Sequence, residues 1–185
     1  MKLICLFNKR YDEDGIVSLY RGSERLNMKN SVPVWGSLSR FGPQLIEKIN
    51  GRIDTKQYIT FLKKVMKENE AKTPFNFVHD RYPVHRAKAV MEFFFENVGK
   101  IQPIPWPADF GDLMPLELVW EEIAEMINKR GKISSEDFLW AEISRCWSEL
   151  FQEEFYIGGL TYRIPSLLNK VFLNHGDWAI QRIST

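Results

Sequence analysis

Cysteine is scarce, with 2 in 185 residues. Cys5 and Cys146 each sit in an apolar pattern. Two such residues offer neither a disulfide framework nor a thiolate metal knot, so the chain reads as one of a reducing compartment with two buried free thiols. Net charge is also nearly absent. The 25 Lys and Arg against 24 Asp and Glu leave a formal +1. That excludes the overall basic character of a protein whose main business is gripping nucleic acid. No apolar run approaches the length of a membrane span. The opening MKLICLFNKRYDED has a very short apolar run and no small-residue cleavage site, so it reads as a strand and not a signal peptide. There is no repeat, low-complexity segment or linker, and one domain over 1–185 is expected.

What is present is apolar and aromatic. The hydrophobic fraction is 44% and the aromatic fraction 14%, enough for a sizeable core at this length. KLICLFN and IVSLYRG, joined by the DEDG turn, read as a hairpin. Val32–Ser39 is a third strand, and QLIEKING extends the sheet. Asp54 or Thr55 caps a helix through about Glu70, with Tyr58, Phe61, Leu62 and Val65 at helical spacing. FNFVHD is a continuous apolar strand of the kind buried on both faces. HRAKAVMEFFFENVG is a helix stopped by Gly99, and the prolines of KIQPIPW place a strand at a sheet edge. Pro115 opens a helix that Gly131 ends. Ser134 or Ser135 caps another through about Phe151, and YRIPSLLNKVFLNHG is the last. A strand meander, then alternating helix and strand, then helices, is an α/β order with a mixed sheet.

The stretch PFNFVHDRYPVHRAKAV ends a buried strand in a carboxylate, Asp80. A second carboxylate, Glu117, stands in the first turn of the helix opened by Pro115. The element order matches the ribonuclease H-like fold, in which strand ends and a late helix bring three carboxylates onto two divalent ions about 4 Å apart.

Here the resemblance becomes specific. FVHDRYPVHRAKAV resembles the F-x-x-D-N-A-P-x-H-x-A-x-x-V segment of the Tc/mariner superfamily of transposases. PIPWPADFGDLMPLELVWEEI resembles that family's W-P-A-x-S-P-D-L-N-P-I-E-x-x-W segment. VPVWGSLSRFG with the helix after it, and the tail YRIPSLLNKVFLNHGD, also look like the family's, and the order is kept along nearly the whole chain. The resemblance implies a ribonuclease H-like mixed sheet flanked by helices, with extra C-terminal helices. It makes Asp80 the second catalytic carboxylate and Glu117 the third.

The departures cluster at the implied metal site. The family's first strand ends in a motif like L-F-S-D-E-S, whose aspartate is the first carboxylate. Aligning Leu6-Phe7 puts Lys9 in its place, and an ammonium cannot ligate magnesium or manganese. The lysine is therefore expected within salt-bridge reach of Asp80, Glu117 or both, where it would separate like charges. Arg81 replaces the asparagine after the second aspartate. Asp12, Glu13 and Asp14 would supply the missing ligand only if the first strand slipped, and they read as turn residues. His79 and His85 are candidate ligands or packed histidines. Arg81, Arg86 and Lys88 are candidates for phosphate contact. Lys63, Lys64 and Lys67 read as a solvated helix face.

In SSEDFLWAEISRCWSELFQEEFY, Leu139, Ile143, Cys146 and Leu150 form one helical stripe, and Trp140, Trp147 and Phe151 a second. A helix needs only one to dock on a sheet, so the second meets either a partner or the C-terminal helix. The expectation is an inactive, domesticated transposase-derived domain that needs no cofactor and acts as an interaction or dimerisation module. The alternatives are an active magnesium- or manganese-dependent transposase or nuclease, and a non-catalytic nucleic-acid binder. The partner is a protein or a second copy, with nucleic acid as a further candidate and no membrane. The resemblance alone implies a nuclear location, with the cytoplasm as the alternative.

Overall fold

The computed structural model describes residues 2–11, 17–20, 31–39, 41–106, 113–152 and 156–175, with backbone alone for 2–20. The elements in chain order are β1 (Lys2–Tyr11), β2 (Val17–Tyr20), β3 (Ser31–Ser39), β4 (Gly42–Lys48), α1 (Thr55–Glu68), β5 (Phe75–His79), α2 (Lys88–Glu96), β6 (Ile101–Ile104), α3 (Pro115–Arg130), α4 (Glu136–Leu150) and α5 (Tyr156–Leu173). The six strands form one sheet of order β4-β3-β1-β5-β6, with β2 paired to β1. β2, β3 and β4 join antiparallel, and β5 and β6 join parallel. This is the mixed ribonuclease H-like sheet with additional C-terminal helices.

Side-chain alternation sends the residues of β3 and β5 to two separate cores. Val32, Val34 and Leu38 of β3 pack with α3, α4 and α5, whereas Trp35 packs with α1 and α2. β5 divides likewise, with Val78 in the first core and Phe77 in the second, both fully buried. The continuous apolar run of this strand has its cause here. Gly36 leaves room for the tryptophans of α3 and α4 to lie close on the sheet. A Cβ there would lie 2.8 Å from Trp120 Cζ2 and 3.4 Å from Trp147 Cη2.

The helix ends follow local chemistry. Asp54 Oδ1 accepts from Gln57 N at 2.7 Å, and Ser135 Oγ accepts from Phe138 N at 3.1 Å. Gly131 adopts φ 132° at the end of α3, a conformation that suits a residue without Cβ. α2 stops earlier than its sequence suggests, because Asn97 Nδ2 donates to Phe93 O at 2.8 Å and closes the last turn before Gly99. Its expected start is instead a 3-10 turn, Pro83–Arg86. α5 begins at Tyr156, well before the expected Tyr162. Tyr156 Oη donates to Glu122 Oε2 at 2.7 Å, and Leu160 is buried, so tertiary contacts extend the helix.

The two aromatic stripes of α4 are one wide core face. Trp147 is 5% exposed, stacks on Trp120 at 5.3 Å and meets Phe151 edge-on at 5.0 Å. Phe151 meets Tyr156 of α5 at 5.2 Å, and Trp140 is partly buried against the same core. The interaction role expected for Trp147 and Phe151 of this stripe is thereby corrected, since Trp120 of α3 and Tyr156 of α5 lie against them, while Trp140 stays partly exposed beside them. The covering helix contributes Leu167, 7% exposed, and Val171, while Leu168 and Phe172 face away at 47% and 78%. Among the described residues no helix is long and apolar enough to cross a membrane.

Candidate functional site

Asp80 directly follows β5, and its side chain is 27% exposed. Two donors hold it. His85 Nδ1 lies 2.6 Å from Asp80 Oδ1, and Tyr82 N donates to the same oxygen at 3.0 Å. The proline turn between them folds the chain back so that this local pairing can form. An Nδ1 bonded to a carboxylate carries the proton, which assigns that nitrogen as the donor. His85 is wholly buried. Its ring stacks on Tyr58 of α1 at 4.1 Å and lies parallel to His79 at 5.2 Å, with an interplanar angle of 12°.

His79 ends β5 among aromatic rings. Tyr58 Oη and His79 Nδ1 are 2.7 Å apart. Phe77 and Phe94 meet the His79 ring edge-on at 5.6 and 5.5 Å. Burial, reinforced by the neighbouring His85, pushes the His79 pKa down to about 4, with Asp80 opposing the shift. The imidazole is therefore neutral at neutral pH, and one hydrogen bond joins the Tyr58 hydroxyl to its Nδ1. Both histidines are packed, hydrogen-bonded members of a core. Sequence reasoning placed Tyr58 on the apolar stripe of α1 but missed its bond to His79. The pair spans 21 residues, and no local pattern announces it.

Glu117 lies in the first turn of α3 and is 6% exposed. Its backbone N bonds Met114 O at 2.9 Å. Leu116, Leu118 and Val119 beside it belong to the α3/α4 core, whereas His85 ties Asp80 to the α1/α2 side.

The third position is read from the backbone register. β5 pairs with β1 at Leu3↔Val78 and Ile4↔His79, so the next row sets Cys5 beside Asp80. On that same edge of β1, β2 takes over from Asn8 to Tyr11, and Lys9 is flanked by Leu19 and Val32. Lys9 is four residues past Cys5, about 13 Å at about 3.3 Å per residue. The register thus sets the Lys9 backbone further along β1 than the row of Asp80. The side chain of Lys9, and with it the expected contact to Asp80 or Glu117, lies outside the described residues, as do Asp12, Glu13 and Asp14. So does the side chain of Cys5.

The chemistry of the strand does not depend on that side chain. β1, KLICLFNKRY, contains no Asp or Glu at any position. Among the described residues no group of three or more His, Cys, Asp or Glu side chains is placed to hold a metal ion. Divalent magnesium and manganese need several oxygen ligands, and a two-ion site needs carboxylates shared between both. A strand without a carboxylate, and an Asp80 oxygen already accepting two hydrogen bonds, do not fit such a pair.

Arg81 and Arg86 are exposed around the turn after Asp80. Lys88, 91% exposed in its side chain, lies 3.7 Å from Glu92. Lys63, Lys64 and Lys67 lie on the exposed face of α1, and Lys64 pairs with Glu47 of β4. Cys146 is a buried free cysteine whose thiol pKa is raised by burial, against the pull of Arg130 Nη1 at 2.9 Å from Sγ.

Comparison with known proteins gives consistent matches. The family described as DDE superfamily endonuclease matches residues 14–139. The transposable element Tcb1 transposase of Caenorhabditis briggsae is 25% identical over 123 residues, which cover 65% of this chain and 44% of the relative. The Mos1 mariner paired end complex with Mn superposes with a TM-score of 0.67 at 17% identity, over 95% of this chain and 55% of that one. The Mos1 transposase catalytic domain with Raltegravir and Mn gives 0.63 at 15% identity, over 95% of this chain and 84% of that one. The chain thus spans under half the length of the curated relative and about half of the longer Mos1 chain.

Proposed function

This chain belongs to the DDE superfamily endonuclease family, with the fold of a Tc/mariner-type catalytic domain, and from that premise we propose that it is a domesticated interaction module. In this reading the domain has given up metal-dependent strand cleavage, requires no cofactor, and serves a nuclear, chromatin- or DNA-linked complex. One observation carries the loss of catalysis. The strand that the family uses for its first carboxylate has none, at any register. Two divalent ions sharing a partial ligand set would lack the charge neutralisation and positioning that phosphodiester attack requires. The nuclear assignment rests on the family alone.

Calorimetry with manganese and nicking of supercoiled plasmid test the catalytic part. The expected result is no binding heat and no nicks. Metal-dependent cleavage by the pure protein, abolished by Asp80→Ala, would overturn it. Cell fractionation tests the location. A second reading, nucleic-acid binding without chemistry, is favoured by the exposure of Arg81, Arg86 and Lys88 around one turn. It predicts DNA affinity that falls steeply with salt, and a smaller salt slope for Arg81→Ala with Arg86→Ala.

A further inference from the structure

α5 is apolar on two opposite faces. Leu160, Ile164, Leu167 and Val171 share one face at 100° per residue, and of these Leu160 and Leu167 are buried on the core. The opposite face carries Tyr162, Phe172 and Leu173, at 86%, 78% and 63% exposure, with Leu168 at its border at 47%. A helix that docks on a core needs one apolar face, and a second exposed one marks a contact surface. Its charge is one-sided. Arg163 and Lys170 are exposed and seven residues apart, so they line the same edge of the stripe. Residues 156–175 contain no Asp or Glu.

We propose that this outward face of α5 docks an acidic amphipathic helix of a different protein, its apolar side on Tyr162, Phe172 and Leu173 and its carboxylates on Arg163 and Lys170. The charge pattern selects this occupant over a second copy. In a two-fold antiparallel pairing of α5 with itself, both Arg163–Lys170 edges fall on the same side of the contact. Four cations then gather with no carboxylate from either helix, and like charges oppose the pairing. An acidic helix supplies the missing sign and leaves the apolar stripe to provide the anchors. The proposal rests on the interaction-module reading and names the surface that would serve it.

The test uses two synthetic 18-residue amphipathic helices with identical leucine stripes, one with glutamate and one with lysine on the polar face. Fluorescence anisotropy reads binding to the whole protein. The glutamate peptide is expected to bind at least tenfold tighter than the lysine peptide. Phe172→Ser is expected to weaken it at least tenfold. Arg163→Glu with Lys170→Glu should reverse the preference, and circular dichroism should show all variants folded, since every altered residue is exposed. Equal binding of both peptides, unchanged binding by the variants, or no binding at all overturns the proposal. So does a concentration-dependent wild-type dimer in sedimentation that Phe172→Ser abolishes. None of these outcomes touches the loss of catalysis, which the plasmid assay decides separately.

Discussion

The two faces of the sheet are covered by the same kind of element but held by different chemistry. On the α1/α2 face, the centre is polar and aromatic: Tyr58, His79 and His85 stack and bond among Phe77 and Phe94. On the α3/α4/α5 face, it is volume: Trp120 fills the space over Gly36 and Trp147 stacks on it. Of the two remaining family carboxylates, Asp80 accepts from His85 and from Tyr82 N, and Glu117 is buried in the first turn of α3. One side chain and one backbone N–H engage Asp80 in local hydrogen bonds. The first face should therefore answer to pH and the second to side-chain size.

The size-dependent face should break hardest. Trp120→Ala removes a wholly buried indole at the helix–sheet contact, and a loss of about 3–5 kcal/mol is expected in urea denaturation. Trp147→Glu places an unpaired charge in the same core, and thermal melting should find no cooperative transition.

The pH-dependent face comes next. With the His79 pKa at about 4 when folded and 6.5 as the ordinary value, the unfolded chain binds a proton between these limits that the native state refuses. Stability is full above pH 6.5 and falls as pH drops towards 4, by about 3 kcal/mol in all. His79→Gln should flatten that slope in denaturation midpoints measured across this window, while Trp120→Ala should leave it intact.

Smaller effects sharpen the contrast. Gly36→Ala adds one methyl against Trp120 and should cost about 2 kcal/mol by crowding, with the loss reduced when Trp120 is first replaced by Phe. Asp80→Ala removes the acceptor of His85 Nδ1 and Tyr82 N and should cost about 1–3 kcal/mol in chemical denaturation. In the catalytic alternative the same change would abolish plasmid cleavage.

Much of this architecture is legible in the chain. The hairpin, the buried strand at 75–79, the caps at Asp54 and Ser135 and the Gly131 stop are local signals, and each lies where its chemistry puts it. What the sequence conceals is relational. Aligning Leu6-Phe7 to a motif puts Lys9 at the first carboxylate, but a motif carries no strand register, and only the pairing of Ile4 with His79 tells how far along β1 the Lys9 backbone lies from the end of β5. Likewise 100° steps separate Trp147 from Leu139 on α4, but they cannot say that α3 and α5 together cover both. The surface that is left apolar lies one helix later, on the outer side of α5.

The sheet's two borders bear on how copies of this protein meet. At one border β6 is four residues long and contains Pro103, which has no N–H to offer a ladder. At the other, β4 pairs across a register shift at Ser37/Leu38, while Lys48 reaches Asp137 of α4 at 3.0 Å and Glu47 engages Lys64 of α1. A proline, a bulge and a charged fringe discourage an incoming strand from both sides. Strand addition at these two borders is thereby disfavoured even though the chain is rich in aromatic residues. Against these two borders, the exposed side chains of the helices are the better surface for assembly.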